Sequence, residues 1–290
     1  MKSILVLGAT GLLGVPLSDH LENKGHRVFR HGHHAKASIQ ADISNFAQCH
    51  KILDDLNPDY IINLVALTDV DKCEKDPDLA YRINIKSVEN ILSWKSTHLQ
   101  TKIIQISTDH IYDGPGPHAE DDIKIRNTYA LTKYCAEHIA LRMDACVLRI
   151  NFFGKSRTPG RLSLSDWLVT NLAERKPIKL YTDIYFSPLS IGTLSQNIEM
   201  VVGNFHSGVF NLGCLQGMSK RDFAVLFAQT LGLSLDSATD AFSVDCQQGA
   251  ARRPMDMRMD CGLFEATFGI KLPSLAQEIN DVRKEYVREN

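Results

Sequence analysis

The sequence predicts an α/β fold in which a mostly parallel, doubly wound sheet carries helices on both faces and is joined to a smaller C-terminal region. Three observations carry this expectation. Short apolar-rich runs recur at 4–7, 60–64, 102–106 and 146–150, separated by stretches with helical apolar spacing. The first run ends in the glycine turn GATGLLG at 8–14, which opens directly into a helical pattern. Beyond Asn151 the strand and helix rhythm becomes less regular, with a Gly- and Pro-bearing stretch at 154–160.

The elements follow in order. The strand at 4–7 leads into a helix through Leu17 and Leu21, closed by Gly25, and Arg27 to Arg30 form the second strand. After the strand at 60–64, a helix is expected from Pro77 to Trp94; after the strand at 102–106, another from Tyr129 to Met143, leading to the strand at 146–150. Residues 1–150 thus read as a dinucleotide-binding core. Residues 151–290 read as a smaller substrate-binding region with some elements returning to that core. In it a helix spans Leu164 to Glu174 before Pro177, and Ser219 and Gly232 bracket a second helix from Lys220 to Leu231. No internal repeat or low-complexity linker interrupts the chain.

Composition narrows the function classes. With 290 residues, 44% hydrophobic and 23% charged, the chain is a globular protein large enough to bury its own core. The formal net charge is -2, and Lys and Arg are scattered, which supports neither a nucleic-acid groove nor a membrane-binding face. The apolar run in MKSILVLG ends in glycine after four residues, and no stretch reaches the roughly 18 apolar residues a membrane span requires, so the expected location is the cytoplasm. Seven dispersed cysteines without a CxxC pair read as reduced thiols. His31, His33 and His34 lack an adjoining carboxylate cluster, and no metal site is expected.

The glycine turn is the first feature with chemical content. Gly8 permits the tight turn, Gly11 lets the backbone approach a pyrophosphate, and Gly14 permits close contact between helix and sheet. With Thr10, Leu12 and Leu13 between them, these residues form the candidate phosphate cradle of a Rossmann-type fold. A free adenosine ribose is usually met by a carboxylate at the end of the second strand. Here that region reads Phe29-Arg30-His31-Gly32-His33-His34, which favours a 2'-phosphate, hence NADP(H) over NAD(H), with Arg30 as its partner. Asp42 and Ile43 border the expected adenine position. Ser107, Thr108 and Asp109 stand at the C-terminal end of a central strand, the edge where ligands bind in such sheets.

NTYALTKYCAE at 127–137 places Tyr129 and Lys133 one helical turn apart on one face. A phenol can give a proton to a carbonyl oxygen as hydride reaches its carbon, and a neighbouring ammonium lowers the cost of the resulting phenolate. Thr108 would position and polarise that oxygen.

Five segments together resemble the extended short-chain dehydrogenases/reductases, and within them the nucleotide-sugar reductases of the dTDP-4-dehydrorhamnose reductase-like family. They are GATGLLG at 8–14, INLVALTDVDKCEKDPDLAYRIN at 62–84, ISTDHIYDG at 106–114, YALTKYCAE at 129–137 and RRPMDMRMD at 252–260. The resemblance implies NADPH-dependent reduction of the C4 keto group of a 4-keto-6-deoxy nucleotide sugar, most simply dTDP-4-dehydro-L-rhamnose to dTDP-L-rhamnose. It implies Thr108, Tyr129 and Lys133 as the catalytic set, and Asn63, Leu64, Val65 and Ala66 beside the cofactor. Asn84 takes a structural role. Asp109, Asn151 and Arg253 fall at the substrate, with Val70 and Asp71 flanking the sugar. Arg253 would hold a diphosphate through paired hydrogen bonds. The chain departs from the family pattern at Ala130, His110 and Ile111. Two alternatives stay open: a nucleotide-sugar epimerase with retained NAD, and a noncatalytic cofactor-binding regulatory subunit of a partner enzyme. A homodimer through helices flanking the sheet is also compatible with the resemblance.

Overall fold

A computed structural model describes residues 1–33, 38–243 and 251–287; His34 lies outside the described residues. Seven strands among these form one parallel sheet: β1 (Ser3–Leu7), β2 (Arg27–Gly32), β3 (Ile39–Gln40), β4 (Tyr60–Asn63), β5 (Lys102–Thr108), β6 (Cys146–Ile150) and β7 (Gly208–Leu212). The spatial order is β7-β6-β5-β4-β1-β2-β3. The strand order therefore reverses between β1 and β4, and a crevice opens there at the carboxyl ends of the strands.

Alternation along each strand sends side chains to two separate cores. Ile4, Val6, Ile62, Ile104, Ile106 and Leu148 meet α1 (Gly14–Asn23) and the C-terminal elements. Leu5, Leu7, Ile61, Ile103 and Val147 meet α2 (Phe46–Leu56) and further helices on the opposite face. Burial of a sheet on both faces is why its strands read as almost continuous apolar runs.

The helical stretch expected from Pro77 to Trp94 is interrupted. After α3 (Val70–Lys75) it consists of α4 (Pro77–Tyr81), a π-helical turn at Arg82–Lys86 and α5 (Ser87–Lys95). The cause is visible at Asn84, which is buried. Its Oδ1 accepts from Leu67 N at 2.7 Å and its Nδ2 donates to Thr132 Oγ1 at 2.9 Å. The wider turn lets one polar side chain tie the segment after β4 to the helix α6 (Thr128–Leu141). That helix begins where Asn127 caps it by accepting from Ala130 N at 2.9 Å.

Past residue 150 lie α7 (Leu164–Ala173), α8 (Ile191–Gly203), α9 (Lys220–Leu231), α10 (Gly262–Phe268) and α11 (Leu275–Tyr286). Ser219 and Gly232 bracket α9 as expected, Ser219 accepting from Asp222 N at 3.0 Å and Gly232 adopting φ +68°. Short strand pairs join 152–153 to 189–190, 185–186 to 218–219, and 178–181 to 238–241. From this half of the chain β7 pairs in parallel with β6 and completes the large sheet. Among the described residues no helix is long and apolar enough to cross a membrane.

Candidate active site

The glycine turn after β1 is tightly determined. Gly8 has φ +83°, and a Cβ on Gly14 would stand 2.3 Å from Gly8 O. Gly14 thus seats α1 against the turn. The N-terminus of α1 has no side-chain cap, in contrast to α2 and α6, which Asn45 and Asn127 cap. First-turn N–H groups left without a side-chain acceptor suit an anion, so the residues present fit the phosphates of a dinucleotide.

Two recesses meet at this turn. The first recess, a cleft of about 370 Å³, takes Leu12, Leu13 and Gly14 on one side and Thr108, Asp109, Tyr129, Lys133 and Asn151 on the other. The second recess, about 650 Å³, is bordered by Thr10, His31, His33, Asp42, Ile43 and Val65. Gly8, Gly11, Leu64 and Ala66 line both. Asn63 supports the second recess from beneath, its Oδ1 accepting from Val65 N at 3.1 Å.

Arg30 is not brought to either recess, contrary to its expected position at a 2'-phosphate. Its guanidinium turns onto α1, contacting Asp19 at 2.5 Å and Glu22 at 2.6 Å. Two carboxylates at i and i+3 on one helix face hold it more strongly than an open strand end can. His31 and His33 border the recess instead. His31 is buried and its pKa is lowered by that burial, its Nε2 facing Ala41 O at 3.0 Å. No carboxylate from β2 borders the recess.

The catalytic candidates converge from two elements. Thr108 ends β5, while Tyr129 and Lys133 lie on α6, and all three are buried. Burial raises the Tyr129 pKa above its ordinary value, partly offset by a hydrogen bond with the Thr108 hydroxyl, so the phenol is a proton donor at neutral pH. Burial lowers Lys133 to about 8, against the pull of the Glu137 carboxylate. Its Nζ donates to Ile106 O at 2.7 Å, which fixes the ammonium beneath the end of β5.

Asp109 is a buried carboxyl of the cleft, its pKa raised by that burial to about 6. Asn151 Nδ2 donates to its Oδ2 at 2.5 Å. His110, one of the departures from the family pattern, packs edge-on against Tyr129 with ring centroids 5.5 Å apart, and burial lowers it to about 3. A neutral imidazole therefore lines the cleft beside the phenol. Lys220, at the start of α9, is electrostatically coupled to Asp109. Reading the sequence missed Lys220 as well as Arg161, which lines both recesses; neither belongs to a motif. Arg253 lines neither recess. It pairs with Asp71 at 2.8 Å, while Val70 lines the cleft.

A doubly wound sheet with a glycine cradle at the switch point, facing a Thr, Tyr and Lys set, defines a dinucleotide-dependent reductase of the short-chain type. The chain belongs to the family described as RmlD substrate binding domain, whose model matches residues 1–288. It is 26% identical over 286 residues to the probable low-salt glycan biosynthesis reductase Agl14 of Haloferax volcanii, covering 94% of this chain and 95% of that one. It is 25% identical to the dTDP-4-dehydrorhamnose reductase of Escherichia coli K12, covering 93% of each. Among solved structures, a dTDP-4-dehydrorhamnose reductase from Bacillus anthracis in complex with NADP superposes with a TM-score of 0.89 at 22% identity, covering 98% of this chain and 100% of that one.

Proposed function

We infer that the chain is an NAD(P)H-dependent reductase of the C4 keto group of a 4-keto-6-deoxy nucleotide sugar. The particular reaction proposed is dTDP-4-dehydro-L-rhamnose to dTDP-L-rhamnose with NADPH. The observation that carries this reading is the convergence of Thr108, Tyr129 and Lys133 in the cleft that also receives Gly8 and Gly11. The named activity of the Escherichia coli relative supports the substrate, and that of the Haloferax volcanii relative supports a reductase of glycan biosynthesis.

When bound, the coenzyme supplies hydride. The chain's own part is to orient the carbonyl and manage the proton. Thr108 Oγ1 holds the carbonyl oxygen, and Tyr129 gives that oxygen the proton its burial retains. Lys133 stabilises the phenolate left behind, and the burial of both side chains limits the access of water to the pair. Arg253, paired with Asp71 near this site, offers its guanidinium to the diphosphate. A homodimer through the outer face of α6, where Leu131 is 49% exposed, and a cytoplasmic location complete the reading.

The test is NADPH oxidation with a panel of 4-keto-6-deoxy nucleotide sugars, alongside Tyr129→Phe. Turnover of one panel member is expected, reduced by about 100-fold or more in Tyr129→Phe while coenzyme binding is retained. Sugar conversion without net NADPH consumption would make the protein an epimerase. Tight coenzyme binding with no turnover across the panel would favour a regulatory subunit.

A further inference from the structure

The two recesses meet along a short line, and what borders both of them marks where the middle of a bound dinucleotide must lie. On the floor that shared border is Gly8 and Gly11, and on one wall it is Leu64 and Ala66. The fifth shared residue, Arg161, comes from outside the nucleotide-binding core. Adenosine in one recess and nicotinamide in the other leave the pyrophosphate between them, with glycine amides beneath and this guanidinium above.

The segment that carries Arg161 is pinned in place. Thr158 Oγ1 donates to Gly11 O at 3.0 Å, so the strap crosses directly over the glycine turn. Arg157 pairs with Asp19 on α1 at 2.6 Å, and Ser156 N donates to Asp166 Oδ2 at 2.9 Å. Arg161 N then returns to Thr158 O at 3.2 Å, closing a turn in which Gly160 has φ +75°. Of the two arginines on the strap, Arg157 is thus taken by a carboxylate. Among the described residues, no hydrogen bond or ion pair engages the side chain of Arg161.

We propose that Arg161 roofs the coenzyme's pyrophosphate, so that the two phosphates are held between the backbone amides of the core and a planar cation delivered by the strap. The inference rests on the dinucleotide reading of the glycine turn and is independent of the sugar. A guanidinium suits the role because its fork can donate two parallel hydrogen bonds to phosphate oxygens. Leu162, Ser163 and Leu164, which follow it, line the catalytic cleft, so the strap that grips the phosphates also walls the nicotinamide end.

The test is calorimetric titration of the full chain with NADPH and, separately, NADH, using wild type, Arg161→Met and Arg161→Lys. A charge-assisted bidentate contact predicts that Arg161→Met weakens both coenzymes by a similar factor, about 10- to 100-fold. Arg161→Lys should recover part of the loss, and the wild-type affinity should fall more steeply with salt than that of Arg161→Met. A loss confined to NADPH would overturn the proposal by assigning Arg161 to the 2'-phosphate, and unchanged affinity for both would overturn it outright. Failure of the wild type to bind either coenzyme would overturn the dinucleotide reading itself, a result distinct from any difference between variants.

Discussion

Lys133 shows how one buried side chain sets a working range. Burial lowers its pKa to about 8 while Glu137 opposes the shift, and the neighbouring phenol moves the other way, upward. The first proton lost from the pair as pH rises is therefore the lysine's. If Lys133 serves the proposed role, the cation that stabilises the phenolate is lost through about pH 8, so kcat/KM should decline on an alkaline limb centred there, approaching tenfold per pH unit beyond it. A profile flat to pH 10 would contradict this assignment. Tyr129 and Lys133 were legible in the sequence because helical spacing alone brings them together. Arg30 was misread because a strand end does not reveal that Asp19 and Glu22 face it from α1. Arg161 was invisible for the opposite reason: its place depends on a loop crossing over Gly11, a contact between residues 147 positions apart.

Among elements, the junction of β1 with α1 is the least forgiving. A methyl group on Gly14 would lie 2.3 Å from Gly8 O and 2.7 Å from Ala9 Cα, both backbone atoms with nowhere to retreat. Gly14→Ala should therefore cost about 1–3 kcal/mol or more in urea unfolding, with coenzyme affinity falling as the cradle distorts. This glycine was readable because the turn has a fixed pattern. The π-helical turn at Arg82–Lys86 was not, since apolar spacing continues through it and only the inward pull on Asn84 requires the extra residue. Nor was β7, a five-residue run whose strand character depends on the edge of β6 being available.

Across the whole molecule, a buried polar network joins the two halves of the chain. Arg149 on β6 donates through Nε and Nη2 to Glu137 on α6, and through Nη1 to Tyr112 Oη and Glu120 O, each at 2.6 Å. Tyr112 Oη donates to Asn211 Oδ1 on β7 at 2.6 Å, and Asn211 Nδ2 reaches His118 O and Asp260 O at 2.9 and 3.0 Å. Both charged members are almost completely buried, at 1% and 2% exposure for Glu137 and Arg149. Glu137→Gln would strand the guanidinium without a counter-charge and should destabilise the fold by about 3–5 kcal/mol, measured by chemical denaturation. A loss below 1 kcal/mol would mean that the network tolerates an unbalanced charge.

The position of β7 has a consequence for how the protein is made. Its partner β6 ends at Ile150, yet the strand that covers it starts only at Gly208. At roughly 5–20 residues per second, ribosomal synthesis leaves that apolar edge without its neighbour for about 3–12 s. Throughout that interval the nascent chain carries a sticky sheet margin that another copy could pair with. Residues 1–150 produced alone should therefore aggregate, and co-expression with 151–290 should restore the recoverable protein, as read by sedimentation of the two preparations.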